Sequence, residues 1–331
     1  MNPLYALAER IRRGEPIALP LAALLSSATP LVRLGMALRL RQPRVRVAAH
    51  VVSFGNITAG GTGKTPAVIE RARRELAAGK KVAVLTRGYG TTQRTTPVVV
   101  QSGGTEIERA GLLGDEPTLI ARKAPGVVIV KCADRVAAAH AATEDCGCDT
   151  LILDDGFQYV RLERDENILL IDATNPFGNG RLIPRGILRE PTSHVGRATH
   201  IVLTRCDQAG DPSRLLAQLR AICPNAPIRQ TRHAPTSLWR VADSVELPLE
   251  TIQGKPVKAT CGIANPEAFF KTLEALGARI TERLPYRDHT AIPAAALSGA
   301  DFVVTTEKDA VRIRTAPHNL LALGVELQDL A

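Results

Sequence analysis

Apolar runs of three to five residues, rich in valine, isoleucine and leucine, recur along the chain from residue 51 onward. They fall at 51–54, 82–85, 127–130, 151–153, 168–171, 201–203, 257–261 and 302–305, with helix-spaced segments between them. The runs do not alternate apolar with polar, so they predict strands buried on both faces. Such strands separated by helices predict an α/β fold, a mostly parallel sheet with helices on both sides. Ligands of these sheets bind at the carboxyl ends of the strands. The polar motifs of this chain do follow the predicted strand ends.

Pro224, Asn225 and Pro227 punctuate the chain and predict a boundary. It separates a core at 51–225 from a smaller C-terminal α/β domain at 226–331. Residues 1–50 are patterned differently. Eight arginines (10, 12, 13, 33, 39, 41, 44, 46) stand against Glu9 and Glu15, and they flank the apolar stretch Ile17–Val32. That stretch holds Pro20 and Pro30 and is about sixteen residues long, short of the roughly 20 that span a bilayer. No small-residue cleavage site lies in register, which argues against a signal peptide. An apolar helix pair bracketed by arginines suits the interface of an anionic membrane. The competing reading packs the same hairpin on the protein's own sheet.

The whole chain carries a net charge of +9, and most of the excess lies in those first fifty residues. Aromatic residues make up only 3%, too few for base-stacking platforms, so no nucleic-acid partner is expected. The cysteines at 132, 146, 148, 206, 223 and 261 are dispersed as reduced thiols are, and Cys146-Gly147-Cys148 has no second pair at metal-ligand spacing.

The most specific chemistry is at Thr58-Ala59-Gly60-Gly61-Thr62-Gly63-Lys64-Thr65, between the run at 51–54 and a helical stretch from Ala67 to Ala78. A glycine-rich turn from a strand into a helix points backbone N–H groups at a phosphate chain, and the helix dipole adds positive potential. Lys64 reaches the outer phosphates and Thr65 offers a hydroxyl to Mg²⁺. The strict pattern wants glycine where Thr58 stands. A phosphate-binding loop in this frame makes the core P-loop NTPase-like.

Asp154 and Asp155 follow the strand at 151–153, where a P-loop protein places a magnesium-holding carboxylate. Arg87, in Arg87-Gly88-Tyr89-Gly90, reads equally as a phosphate or substrate contact and as a simple loop residue. Asp115 in Gly114-Asp115-Glu116-Pro117 reads locally as a helix cap, with a proton-accepting role as the alternative. The long segment with Asn179, Arg181, Arg185 and Arg189 suits an anionic substrate. Asp288-His289 and Thr306-Glu307-Lys308-Asp309 are unremarkable taken singly.

As an ordered set, these motifs resemble the tetraacyldisaccharide 4′-kinase family of lipid A biosynthesis across nearly the whole chain. The match rests on Gly55–Pro66, Arg87–Gly90, Gly114–Pro117, Asp154–Gln158, Phe177–Arg181, Leu188–Glu190, Gly262–Pro266, Asp288-His289 and Thr306–Ala310. The family also carries threonine at the Thr58 position. The resemblance implies a Mg²⁺- and ATP-dependent kinase that phosphorylates the 4′-hydroxyl of an acylated glucosamine disaccharide 1-phosphate, forming lipid IV-A. It makes Asp115 and His289 the pair that deprotonates the sugar hydroxyl, with Lys64 catalytic beside them. It also turns the N-terminal helices toward the inner membrane, at its cytoplasmic face, and calls for no obligate protein partner. One departure is Thr91, where the family often has a basic residue.

Two rivals stand beside this reading. Thr204-Arg205-Cys206-Asp207 is similar to a guanine-reading T-K-x-D motif with arginine for lysine, as in a regulatory GTPase. A membrane-recruited ATPase would hydrolyse ATP and leave lipid unmodified.

Overall fold

The computed structural model describes residues 3–12, 14–87, 96–101, 113–263, 265–288, 290–313 and 315–330. Each of the eight apolar runs lies in a strand: β1 (His50–Gly55), β2 (Val82–Thr86), β4 (Val128–Lys131), β5 (Thr150–Leu153), β6 (Glu166–Asp172), β7 (His200–Thr204), β10 (Pro256–Cys261) and β12 (Val303–Thr306). Five further strands are β3 (Val98–Gln101), β8 (Ile228–Arg240), β9 (Glu246–Leu247), β11 (Arg279–Pro285) and β13 (Leu320–Asp329). β3 and β11 lie at the sheet's edges and β8 carries polar residues, whereas β13 opens on a buried apolar run, Leu320–Leu323, that was not read as a strand. β11 is exposed at most positions, and β8 mixes Arg229, Arg232, His233 and Pro235 with its apolar residues.

The strands form one sheet in the order β11-β10-β12-β13-β8-β7-β6-β1-β5-β2-β4-β3, with β9 pairing β8. Most neighbours are parallel; β3–β4, β8–β13 and β8–β9 are antiparallel. The expected boundary near residue 225 falls just before β8, the strand that joins the two halves. Its first residues pair with β7, and the remainder pairs with β13 along its length. The end of β13 returns to the first half, where Leu327 joins the core formed by Val68 and Ala72 of α4 (Lys64–Ala77).

Three helices precede the sheet: α1 (Pro3–Arg12), α2 (Leu19–Ser27) and α3 (Thr29–Leu40). Pro20 and Pro30 sit in the first turns of α2 and α3, where proline starts a helix rather than breaking it. The apolar segment is therefore longer than the sequence pattern suggested. Leu19–Leu40 gives 22 residues of helix with a mean hydropathy of 1.5, sufficient by length and composition to cross a membrane. Leu19, Leu24, Leu31, Leu34 and Leu38 are exposed on it. Only Met36 of α3 is buried, in a cluster with Ile57, Phe157 and Leu188.

α4 is held on the sheet by apolar packing and by one charged fork. Arg71 is buried and donates to both oxygens of Glu166 on β6, at 2.8 and 2.6 Å. Those bonds outweigh burial, and with His50 they hold the Glu166 carboxyl down at about 2. A carboxylate held that low contributes stability above its unfolded pKa and loses it as pH falls through the folded one. Glu166→Gln is expected to cost about 2–3 kcal/mol at pH 7. The gap to wild type, read from urea midpoints, should close as pH falls from 4.5 toward 2. A gap that stayed constant with pH would show that the charge of Glu166 contributes nothing.

Candidate active site

The glycine-rich loop leaves β1 at Gly55 and enters α4 at Lys64. Four of its carbonyls are taken up by side chains. Asn56 is fully buried and donates to the carbonyls of Thr58 at 2.8 Å and Gly60 at 3.4 Å. Arg205 donates to Gly61 O and Thr204 Oγ1 to Thr62 O, each at 3.1 Å. With these acceptors engaged, the loop has N–H groups left to offer an anion. Its first arm is paired as well: Ala59 N–H donates to Ile187 O, and Arg189 N–H to Ile57 O, both at 2.7 Å.

Arg205 is fixed from both sides, since it also pairs with Asp172. Its guanidinium is thereby committed to the loop backbone. Asp207 is exposed and does not line the adjoining cavity. The Thr204–Asp207 motif thus braces the loop here, which removes the structural basis for reading it as a guanine site. Behind Gly63 (φ +80°) lies His233 of β8; a Cβ at residue 63 would sit 2.5 Å from its Nε2. Burial, with Arg205 adding, pushes the His233 imidazole down to about 3, so it packs here as a neutral ring.

Asp154 and Asp155 emerge at the end of β5, as expected, but their surroundings differ. Asp155 lies 3.4 Å from Lys64 Nζ and accepts from Arg189 Nη1 at 2.8 and 3.1 Å. Burial opposes its ionisation, yet Lys64 and Arg189 outweigh that and hold its carboxyl below the ordinary range. Lys64 also donates to Asn56 Oδ1 at 3.3 Å. Asp154 is 3% exposed, and its Oδ1 is buried with no hydrogen-bond partner. Burial, then Glu116 and Asp155, push its carboxyl up to about 7. A buried oxygen lacking a donor, beside a phosphate-binding loop, fits a hard divalent cation. Among the described residues no three His, Cys, Asp or Glu side chains gather as a metal cage. The donor set therefore suits Mg²⁺, which takes few protein ligands and leans on phosphate oxygens and water.

The substrate candidates separate. Arg189 is brought to Asp155. Asn179 and Arg181 are exposed on the loop between β6 and β7; Asn179 accepts from Arg181 N–H at 3.1 Å and donates to Arg185 O at 3.0 Å. That loop touches the N-terminal helices, through Arg185 to Ser26 Oγ at 2.9 Å and Asn175 to Arg12 O at 3.0 Å. Arg87 is exposed at the end of β2.

From the other side of the loop comes α5 (Asp115–Lys123). Asp115 opens this helix, directly after Gly114. Its Oδ2 lies 2.7 Å from Arg312 Nε. Glu116 lies 3.1 Å from Lys308 Nζ, which is 3.3 Å from Asp288. Lys308 comes from α9 (Glu307–Ala310), a short helix directly after β12. A cavity of about 200 Å³ is bordered by the glycine-rich loop and Thr65, by Glu116, and by Asp288 and Lys308. His289 lies outside the described residues, as do Gly88, Tyr89 and Gly90.

Sequence reasoning gave no role to Asn56, His233, Lys308 or Arg312. Asn56 stands inside the glycine-rich motif, and Lys308 inside Thr306–Asp309, so position offered a signal there. His233 had none, because the strand that carries it was not legible.

Comparison with known proteins follows from this geometry. The profile of a family described as Tetraacyldisaccharide-1-P 4′-kinase matches residues 15–329. A tetraacyldisaccharide 4′-kinase of Anaeromyxobacter dehalogenans is 42% identical, covering 96% of this chain and 87% of its own. One from Pelobacter propionicus is 39% identical, covering 97% and 92%. Among solved structures, LpxK from Aquifex aeolicus in complex with ATP superposes with a TM-score of 0.72 at 27% identity, covering 92% of this chain and 95% of that one.

The packing behind Gly63 is directly testable. Gly63→Ala combines a positive-φ penalty of about 1–2 kcal/mol with overpacking of about 1–3 kcal/mol. It is expected to weaken ATP binding by at least about tenfold in calorimetry, and adding His233→Ala should restore part of the loss. Wild-type affinity in the single variant would contradict the contact.

Proposed function

The chain belongs to the tetraacyldisaccharide 4′-kinase family, and from that premise we propose how its residues carry out the transfer of the γ-phosphate of ATP to the 4′-hydroxyl of a tetraacyldisaccharide 1-phosphate. The observation that carries the proposal is the glycine-rich loop itself, with four carbonyls bonded to side chains and Lys64 beside a carboxylate at the strand end. Backbone N–H groups of Gly60–Thr65 hold the phosphates, and Lys64 neutralises their outer charge. Thr58 and Ala59 fix the loop's first arm.

Thr65 and Asp154 would hold Mg²⁺, with Asp155 beside them. Both Asp155 oxygens already meet cations, which supports Asp154 as the direct ligand. Mg²⁺ held there would supply positive charge to the phosphate oxygens. Phosphoryl transfer depends chiefly on alignment and charge neutralisation, so Lys64 carries a large share of the rate. Asp115 accepts the proton of the sugar hydroxyl, with His289 as the partner that the family resemblance assigns to it. Asp115 stands beside Glu116 at the start of α5, whereas Asp288 and Lys308 border the cavity from the C-terminal half. That division supports a closure of the two halves around substrate.

The exposed leucines of Leu19–Leu40 and the flanking arginines support attachment to an anionic membrane, at the cytoplasmic face of the inner membrane. The loop with Asn179, Arg181 and Arg185 runs from those helices to Arg189 at the glycine-rich loop. This supports it as the path along which the anionic sugar head reaches the site, with Arg87 as a further contact.

The decisive assay supplies purified protein with Mg²⁺, γ-labelled ATP and the tetraacyldisaccharide 1-phosphate in detergent. Label should appear in the lipid and vanish with Lys64→Ala. Release of free phosphate alone by an ATP-binding preparation would favour the ATPase reading. A variant lacking residues 1–45 is expected to remain an ATP binder and to lose activity on lipid in vesicles. Full activity there would remove the membrane role from these helices.

A further inference from the structure

Two charged rungs join the first turn of α5 to the loop that follows β11. One runs from Glu116 through Lys308 to Asp288. The other runs from Asp115 through Arg312. Arg312 Nε is 2.7 Å from Asp115 Oδ2, and its Nη1 donates to Thr290 O at 3.3 Å and Asp309 Oδ1 at 3.4 Å. Lys308 and Arg312 are four residues apart, so α9 and the turn after it present them together.

Arg312 is anchored from behind. Asp309 is 1% exposed, and it accepts from Gly262 N–H at 3.0 Å and Thr306 Oγ1 at 2.6 Å. Its carboxylate is thus spent on two neutral donors and one guanidinium. The Arg312 side chain is only 13% exposed, a buried cation that nevertheless faces across to the other half of the molecule. Its Nε–H is not aligned on Asp115, despite the short distance, so that contact is an ion pair and not a directed hydrogen bond.

We propose that Arg312 is a positioning residue for phosphoryl transfer: anchored by Asp309, it fixes the Asp115 carboxylate against the backbone of Thr290 and so sets where the proton acceptor stands. The inference rests on the reading of Asp115 as that acceptor. A misplacement of about 1 Å in such a group costs on the order of 10²-fold in rate, whereas nucleotide binding at the glycine-rich loop does not use Arg312. Loss of the guanidinium therefore acts on kcat and spares the ATP site.

The test uses the full chain carrying Arg312→Gln, Arg312→Lys, Asp115→Asn and the Asp115→Asn/Arg312→Gln pair, with kcat and both KM values measured on detergent-solubilised lipid and ATP affinity measured by calorimetry. Arg312→Gln should lower kcat by about 30–100-fold with the KM for ATP within about threefold of wild type. Arg312→Lys, which keeps the charge, should recover to within about tenfold of wild type. On the Asp115→Asn background the glutamine should cost less than about threefold more, the signature of two residues acting as one unit. Wild-type kcat in Arg312→Gln with an inactive Asp115→Asn overturns this inference alone, as do independent, multiplying losses in the pair. Wild-type turnover in Asp115→Asn overturns the acceptor reading and the inference with it. If Arg312→Gln fails to bind ATP, the lysine variant decides. Native ATP affinity with kcat within tenfold of wild type supports the proposal, and a kcat as low as that of Asp115→Asn overturns it.

Discussion

A peptide loop can turn several N–H groups toward one anion only if the carbonyls of the same peptides are satisfied elsewhere. In this protein Asn56, Thr204 and Arg205 meet that condition, and much of the site follows from where those three come from. Asn56 lies directly after β1, so the strand that starts the loop also supplies its first anchor. Thr204 and Arg205 end β7, two strands away across β6. The loop is therefore shaped by the sheet's parallel register as much as by its own glycines. Replacing a neutral partner would leave a buried carbonyl unpaired, at a cost of about 1–3 kcal/mol.

The charged groups around this frame are sorted by their partners. Asp155 sits among cations and stays ionised, whereas its neighbour Asp154 faces burial and other carboxylates and is held near neutrality. Two adjacent aspartates of identical chemistry are thus shifted in opposite directions through surroundings alone. Across the cavity, Lys308 is kept protonated against burial by Glu116 and Asp288. The far end of α5 is fastened too: Lys123 lies 2.6 Å from Glu307, and Arg122 stacks over Trp239 with 3.7 Å to the ring centroid. α5 is tied to the C-terminal half at both ends although its chain neighbours belong to the first.

The sequence made the central strands and the loop legible because buried parallel strands leave continuous apolar runs and phosphate loops need a fixed spacing of small residues. β8 was not legible, since most of its hydrogen bonding is antiparallel and its side chains mix polar with apolar, whereas β13 opens on an apolar run, Leu320–Leu323, that went unread. P-loop logic placed Lys64 at the phosphates and the two aspartates at the strand end, but not the ion pair between Lys64 and Asp155. The braces Arg205 and His233, and the cation Arg312, depend on which strand lies beside which, and one-dimensional spacing does not carry that information. The length of the N-terminal helix was underestimated for a simpler reason: proline in a first turn reads as a break until its position in the helix is known.

β13 closes a core that β1 and α4 begin, for Leu327 packs beside Val68 and Ala72. About 280 residues of chain separate the apolar helix ending at Leu40 from that strand. At ~5–20 residues per second a ribosome needs roughly 15–60 s to cover the interval. For most of it the leucine-rich helix is outside the exit tunnel while the nucleotide-binding half still lacks its final strand. The apolar helix is thus made well before the half that carries the glycine-rich loop is a finished fold.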